Sequence, residues 1–340
     1  MTPKIFLTGV TGYVGGEAFS QLYSNHPEYE YRLLVRNEEK AKLVSAKYPS
    51  TERLQLVVGS LEDEDIIEKE AAAADIVVHT ADSADNEPSA RAITRGLASG
   101  HTAEKPGYWI HVSGTMLIAG LDKAEEDWLR RDTFHDIDDV ALLTDQLPDH
   151  CPHRPIDKLV LAANDKPSVR TLVVCPPTIY GRGRGPVNQR SMQVYNLTRF
   201  TLQNGFAPVI PPGTARWDNV HVADLGAFLG LAVGAALDPG KRSDPAVFGR
   251  HAYFFLEHAA HVWSDVARAV AAEAERQGRL GDGTRPHVRE RSAEELGNPS
   301  WALHEHGVAA RARKFLGWKP VGPSLEETIP EIVESEAARL

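Results

Sequence analysis

The first third of the chain alternates short apolar runs with longer amphipathic segments. The apolar runs predict strands at Lys4–Thr8, Tyr31–Val35, Leu54–Val58, Ile76–His79 and Tyr108–Val112. The segments between them predict helices at Tyr13–Tyr23, Glu38–Tyr48, Glu64–Ala73 and Pro88–Leu97. Strands alternating with helices predict parallel βαβ units, hence an α/β fold with a doubly wound parallel sheet.

The rhythm breaks between Asp122 and Asp149, where ten acidic residues face three basic ones, Lys123, Arg130 and Arg131. That balance predicts a solvated surface excursion, with a flap over an active site as the functional alternative. A helix over Ile156–Asn164 and a strand over Arg170–Val174 follow. From Gly181 the composition shifts: Gly181-Arg182-Gly183-Arg184-Gly185-Pro186 is a loop, and Pro208 to Gly213 is another, with three prolines. These breaks place a nucleotide-binding domain over residues 1–185, which the chain re-enters near 216–238. A smaller substrate-binding domain takes most of 186–340.

With 340 residues the chain can bury a sizeable core, and 42% hydrophobic with 25% charged residues is ordinary for a globular protein. A formal net charge of −10 makes it a poor partner for nucleic acid. The apolar stretch at the start runs straight into a glycine motif and does not read as a signal peptide. Leu225 to Leu237 is too short to cross a bilayer comfortably and reads as a buried helix. The two cysteines, Cys151 and Cys175, have no paired spacing, which suits a reduced cytoplasmic chain without membrane contact.

The motif Gly9-Val10-Thr11-Gly12-Tyr13-Val14-Gly15 leaves a strand and opens a helix. Gly9 permits a tight turn, Gly12 lets the backbone approach a pyrophosphate, and Gly15 lets the helix pack close to the sheet. The helix start then offers unpaired N–H groups to the phosphates. The second strand ends at Val35-Arg36-Asn37. A site that selects NAD carries an acid here; Arg36 suits the 2′-phosphate of NADP, and Lys40 and Lys42 lie on the next helix.

The spacing of Gly9, Gly12 and Gly15 resembles that of the extended short-chain dehydrogenases/reductases, the NAD(P)-dependent epimerase/dehydratase-like family. Further matches follow in chain order. His111-Val112-Ser113-Gly114-Thr115 resembles the segment with the family's active-site serine. Lys158-Leu159-Val160-Leu161 resembles the helix after its catalytic lysine. Val174-Cys175-Pro176-Pro177-Thr178-Ile179-Tyr180-Gly181, Val220-His221-Val222-Ala223-Asp224-Leu225 and Phe315-Leu316-Gly317-Trp318-Lys319-Pro320 resemble three later family motifs. The resemblance implies a Rossmann domain holding NADP against Gly9, Thr11, Gly12, Tyr13, Val14, Gly15 and Arg36. It adds Ser60 and Leu61 after the third strand, Thr80 and Ala81 after the fourth, and Lys158, Pro177 and Ile179 further on. It also implies a small-molecule substrate. A homodimer through helices 88–97 and 156–164 is a further implication, with Leu159, Val160 and Ala163 supplying apolar surface.

The departures bear on mechanism. The family's acid is a tyrosine four residues before its lysine; here that position is Arg154, which keeps its proton at any useful pH. The serine position aligns with Gly114, flanked by Ser113 and Thr115. Candidate replacements are Tyr180 as proton donor, Ser113 and Thr115 as hydrogen-bond donors to a carbonyl, and Arg154 as a fixed cation or carboxylate clamp. Lys158 is expected to hold the nicotinamide ribose. His150-Cys151-Pro152-His153 has metal-capable side chains but no fourth ligand, so no metal is expected. Cys151 and His153 are too close in sequence to face one another as nucleophile and base, and His258 and His261 read as solvated or capping residues at a helix start. The reading is an NADP-dependent oxidoreductase acting on a small organic carbonyl or related unsaturated group. Its alternatives are a non-redox isomerase or lyase that uses a bound cofactor, and an inactive NADP-sensing regulator.

Overall fold

The computed structural model describes residues 2–280, 287–297 and 299–340. Its first half follows the alternation in the sequence: β1 (Lys4–Thr8), α1 (Tyr13–Asn25), β2 (Glu30–Val35), α2 (Glu38–Lys47), β3 (Leu54–Val58), α3 (Glu64–Ala73), β4 (Ile76–His79), α4 (Glu87–Gly100) and β5 (Gly107–Val112). Then come β6 (Phe134–His135), α5 (Arg154–Ala162), β7 (Val169–Cys175), β8 (Thr178–Tyr180), α6 (Gln193–Asn204), β9 (Ala207–Val209), β10 (Arg216–His221) and α7 (Val222–Leu237). The remainder holds β11 (Tyr253–Phe255), β12 (Ala259–Val262), α8 (Trp263–Arg276), β13 (Val288–Glu290), α9 (Ala293–Leu296), β14 (Gly307–Val308), α10 (Ala310–Leu316) and α11 (Leu325–Ala337).

Seven strands form one parallel sheet in the order β11-β7-β5-β4-β1-β2-β3. The chain moves outward from β1 on both sides, so a crevice opens at the carboxyl ends of β1 and β4, the usual ligand position in such sheets. Asn37 and Asn86 start α2 and α4 by accepting from Lys40 N and Ser89 N. A second apolar cluster joins Tyr180, Trp217, Trp263 and Ile329 around the three-stranded sheet β12-β10-β8 with α6, α8 and α11. The chain re-enters the first cluster through α7, β11 and α10.

Three expectations change. The acidic stretch is not merely solvated: Leu129, Phe134, Leu142 and Leu143 are buried, and β6 pairs with β14. Asp136 is fully buried and accepts the N–H groups of Phe255, Ala310 and Arg311, which ties this stretch to two distant segments. His261 lies on β12, not at a helix start, and is buried beside Asn219. Val160 on α5 and Ala163 just after it turn into the core, Leu159 is half-buried against it, and the outer face of α4 carries Arg91 and Arg95 paired with glutamates. The apolar stripe expected for a homodimer is therefore not presented there.

Candidate functional site

The glycine loop sits where the crevice opens. Gly9 has φ +89°, and a Cβ there would also press against Thr80 Oγ1. A Cβ on Gly15 would collide with Thr80 Oγ1 and the Gly9 carbonyl. The same atom on Gly12 would meet only Gly9 O, at 3.1 Å, so the outer face of Gly12 is open. No side chain caps α1, and its first turn has no acid. Its first N–H groups therefore face the crevice without a side-chain acceptor, as a phosphate cradle requires.

A strap follows β8 and lies across this loop. Tyr13 Oη donates to Gly181 O at 2.6 Å, and Asn188 N donates to Thr11 O at 3.2 Å. Glu17, almost fully buried on α1, accepts from Arg184 N and from its guanidinium at 2.6–2.9 Å. Those bonds hold the Glu17 carboxyl below its ordinary value, against the opposing effect of its burial.

Arg36 is exposed at the end of β2, and no carboxylate pairs with it among the described residues. Leu34 lies opposite Thr8 and Val35 opposite Val58, so Arg36 stands between the glycine loop and Ser60-Leu61. Thr8 Oγ1 accepts from Thr80 N and Ala81 N and contacts His79 Nδ1 at 2.8 Å, which fixes the turn after β4. Pro177 and Ile179 follow β7, with Ile179 opposite Val220. The expected cofactor residues at the ends of β1, β2, β3 and β4 thus line one edge of the sheet.

The catalytic candidates are distributed differently. Ser113 Oγ donates to Asp157 Oδ2 at 3.0 Å, and Tyr253 Oη donates to the same oxygen. His111 Nε2 lies 3.8 Å from Asp157 Oδ1, and all four of these groups are buried. Burial also pushes the His111 imidazole well below its ordinary value. Thr115 is buried next to this turn.

Three expected roles do not fit their positions. Lys158 is exposed, and its ammonium is held by the exposed carboxylate of Asp149 at 2.7 Å. Arg154 is buried; its guanidinium donates to the carbonyls of Leu143, Thr144 and Leu147 at 2.7–3.2 Å, leaving no fork for a substrate carboxylate. Tyr180 is fully buried and donates to Pro323 O at 2.7 Å. Burial pushes its phenol upward, which makes it a poor proton donor. On α5 each residue turns the side chain by about 100°, so His153 and Asp157, one position before Arg154 and Lys158, take the inward places.

Asp157 and His153 were missed as a pair. They stand four residues apart, one position before the expected arginine and lysine, and both face inward. His153 Nδ1 lies 2.9 Å from Asp85 Oδ1. The sequence signal is the same four-residue spacing shifted by one residue. Among the described residues no group of three or more His, Cys, Asp or Glu is arranged to hold a metal. No helix among them is long and apolar enough to cross a membrane.

Asp157 also has a measurable signature. Burial pushes its carboxyl up to about 6, from 3.8. A carboxyl raised in the folded state holds its proton while the unfolded chain releases it, so stability falls as pH rises from about 4 to about 6. The loss is about 3 kcal/mol for a shift of roughly two units. Asp157→Asn removes that slope and keeps an acceptor for Ser113 and Tyr253. The expected result in urea unfolding at pH 4.5 and 7.5 is that the variant gains on the native chain at the higher pH. An equal difference at both pH values contradicts the assignment.

The comparisons agree with this geometry. The NAD(P)H-binding family model matches residues 9–114. Oxidase ucsJ from an Acremonium species is 36% identical over 353 residues, covering 100% of this chain and 99% of that protein. The dTDP-glucose 4,6-dehydratase DesIV from Streptomyces venezuelae, solved with NAD and TYD bound, matches with a TM-score of 0.68 at 15% identity, over 98% of this chain and 97% of that one. A UDP-glucose 4-epimerase from Thermotoga maritima, solved with UDP-glucose, matches with a TM-score of 0.65 at 14% identity, over 99% of each chain. The two solved structures share the fold, and the full-length relative carries the likeness into sequence. The open-faced glycine loop, the seven-stranded parallel sheet and these matches together make the chain a member of the extended short-chain dehydrogenase/reductase, or NAD(P)-dependent epimerase/dehydratase, family.

Proposed function

We propose that the chain is an NADP-dependent oxidoreductase acting on a small organic carbonyl, or on the alcohol or related unsaturated group that pairs with it. The observation that carries the reading is Arg36: an exposed guanidinium, free of a carboxylate among the described residues, beside a glycine loop whose outer face is open. The cofactor supplies hydride exchange when bound. The chain's own residues hold it. The first turn of α1 meets the pyrophosphate, and Gly12 allows close approach. Arg36 meets the 2′-phosphate, Ser60 and Leu61 border the adenine end, and Thr80 and Ala81 border the path toward the nicotinamide. The relative named as an oxidase supports redox use of the site. Cys151 and Cys175 are buried free thiols, which supports a cytoplasmic setting.

Calorimetric titration tests the cofactor preference. NADPH is expected to bind at least tenfold more tightly than NADH, and Arg36→Ala to remove most of that ratio by losing about 1–3 kcal/mol of charge-assisted bonding. Equal affinities in the native chain remove the NADP preference. Absorbance at the nicotinamide band, with NADP(H) and a panel of small ketones, aldehydes and their alcohols, tests the redox reading. Tight NADPH binding with no oxidation or reduction of any panel member supports the regulator instead.

A further inference from the structure

His153 is built into the site in a way the packing of α5 does not require. It caps α5 with φ +68° and ψ −22°, a left-handed conformation that costs a non-glycine residue. Among the described residues only Asp82, with φ +44°, is another non-glycine residue at positive φ, and it lies in the turn after β4. That turn also carries Asp85, which meets His153 Nδ1 at 2.9 Å. The strained turn at Asp82 thus lies three residues from the carboxylate that meets the strained cap of α5.

The other edge of the ring is directed at the turn after β5. A Cβ on Gly114 would lie 3.4 Å from His153 Nε2 and 3.5 Å from its Cδ2. Gly114 thus leaves the imidazole room beside Ser113 and Thr115. The side chain is 20% exposed, so solvent and small molecules reach it. A carboxylate only accepts, so the contact with Asp85 places the ring proton on Nδ1 and leaves the Nε2 lone pair free. The charged or titratable groups near the ring are Asp85 from the turn after β4, His111 from β5 and Asp157 on α5, with Arg154 next in the chain. Asp157 is already held by Ser113 and Tyr253, and Arg154 by three carbonyls. Asp85 is the group that orients His153.

The geometry points to His153 as the catalytic acid–base, with Asp85 as its positioning residue, in a site that lacks the family's tyrosine. This rests on the oxidoreductase reading above. In the oxidative direction an alcohol substrate loses hydride from carbon to the oxidised nicotinamide and a proton from oxygen to His153 Nε2. The C–O bond becomes C=O, and the imidazolium returns its proton to solvent. In the reductive direction the imidazolium gives that proton to the forming alkoxide.

The first test needs no substrate. Long-range ¹⁵N–¹H spectra of histidine-labelled protein, with His153→Gln for assignment, report the tautomer of His153. The Nδ1–H form is expected in the native chain, lost in Asp85→Leu and regained in Asp85→Glu, with the Nε2 signal shifting when NADP⁺ is added. An Nε2–H ring, or a ring blind to NADP⁺, overturns the proposal. The second test uses whichever panel carbonyl the native protein turns over. His153→Gln is expected to lower kcat by about 10²–10⁴-fold, the usual worth of a positioned acid–base group, with NADPH affinity unchanged within about twofold. Native turnover in His153→Gln overturns the assignment. If no panel member is turned over by the native protein, the oxidoreductase reading fails, while the tautomer and its response to NADP⁺ still decide whether His153 faces the cofactor.

Discussion

Arg154→Met is expected to destabilise the folded chain by about 3–5 kcal/mol. The side chain is 2% exposed and donates to three carbonyls, those of Leu143, Thr144 and Leu147, which sit on and just after the turn Leu142–Gln146. Carbonyls at the end of a helical turn are otherwise unpaired and carry partial negative charge, so the guanidinium is held where that charge accumulates. Methionine fills much of the volume but supplies no donor, and leaves three dry carbonyls. Lysine keeps the charge yet cannot span three acceptors, so Arg154→Lys is expected to lose about half as much. Urea unfolding followed by circular dichroism measures both losses. The folded fraction of either variant is expected to keep the native affinity for NADPH. A variant with native stability and a raised KM for substrate would restore Arg154 as a carboxylate clamp.

Gly15→Ala is expected to abolish measurable NADP(H) binding, a loss of more than about 100-fold, and to destabilise the chain by about 1–3 kcal/mol through overpacking. The new methyl would overlap the Gly9 carbonyl and Thr80 Oγ1, and it would lie 2.6 Å from Gly9 C. Two of these three neighbours are backbone, so relief requires α1 to move off β1, which displaces the N–H groups that meet the pyrophosphate. Gly12→Ala is the contrast. Its methyl touches only Gly9 O, at 3.1 Å, and otherwise projects into the open face. That variant is expected to melt within a few degrees of the native chain and still to lose most cofactor affinity. Tryptophan-to-NADPH energy transfer and thermal melts, run on both variants, separate the two effects. Native affinity in Gly12→Ala would mean that the cofactor does not approach this face.

The motifs after residue 170 show how a resemblance in sequence can carry mainly structure. His221 caps α7 by accepting from Ala223 N. Asp224 accepts from Val321 N and Gly322 N, and its carbonyl accepts from Trp318 Nε1. The His-Val-Ala-Asp segment and the Phe315–Pro320 segment are therefore two halves of one joint between α7 and the approach to α11. They fix the second layer against the sheet.

The sequence alone determined the parallel sheet, its first five strands to within one residue, and the cofactor loop. Each of these depends on local periodicity or on glycine at fixed spacing, and short-range sterics decide them. It also placed Arg36 at a strand end, because the length of β2 sets that position. Tertiary structure decided which side chains meet. The four-residue rhythm of α5 is visible in the chain, but its phase is not. Whether Arg154 and Lys158 or His153 and Asp157 face inward depends on how α5 is rotated against β7, and that is set by Ile156, Val160 and Leu161 packing on the sheet. The same rotation buries Arg154 against carbonyls seven to eleven residues earlier, in a stretch whose acidic composition reads as solvent-exposed. Asp85 reaches His153 across 68 residues of sequence, and Asp157 reaches Tyr253 across 96. Pairings over such separations leave no periodic trace, because the chain between them contributes only the requirement that it return to the same edge of the sheet.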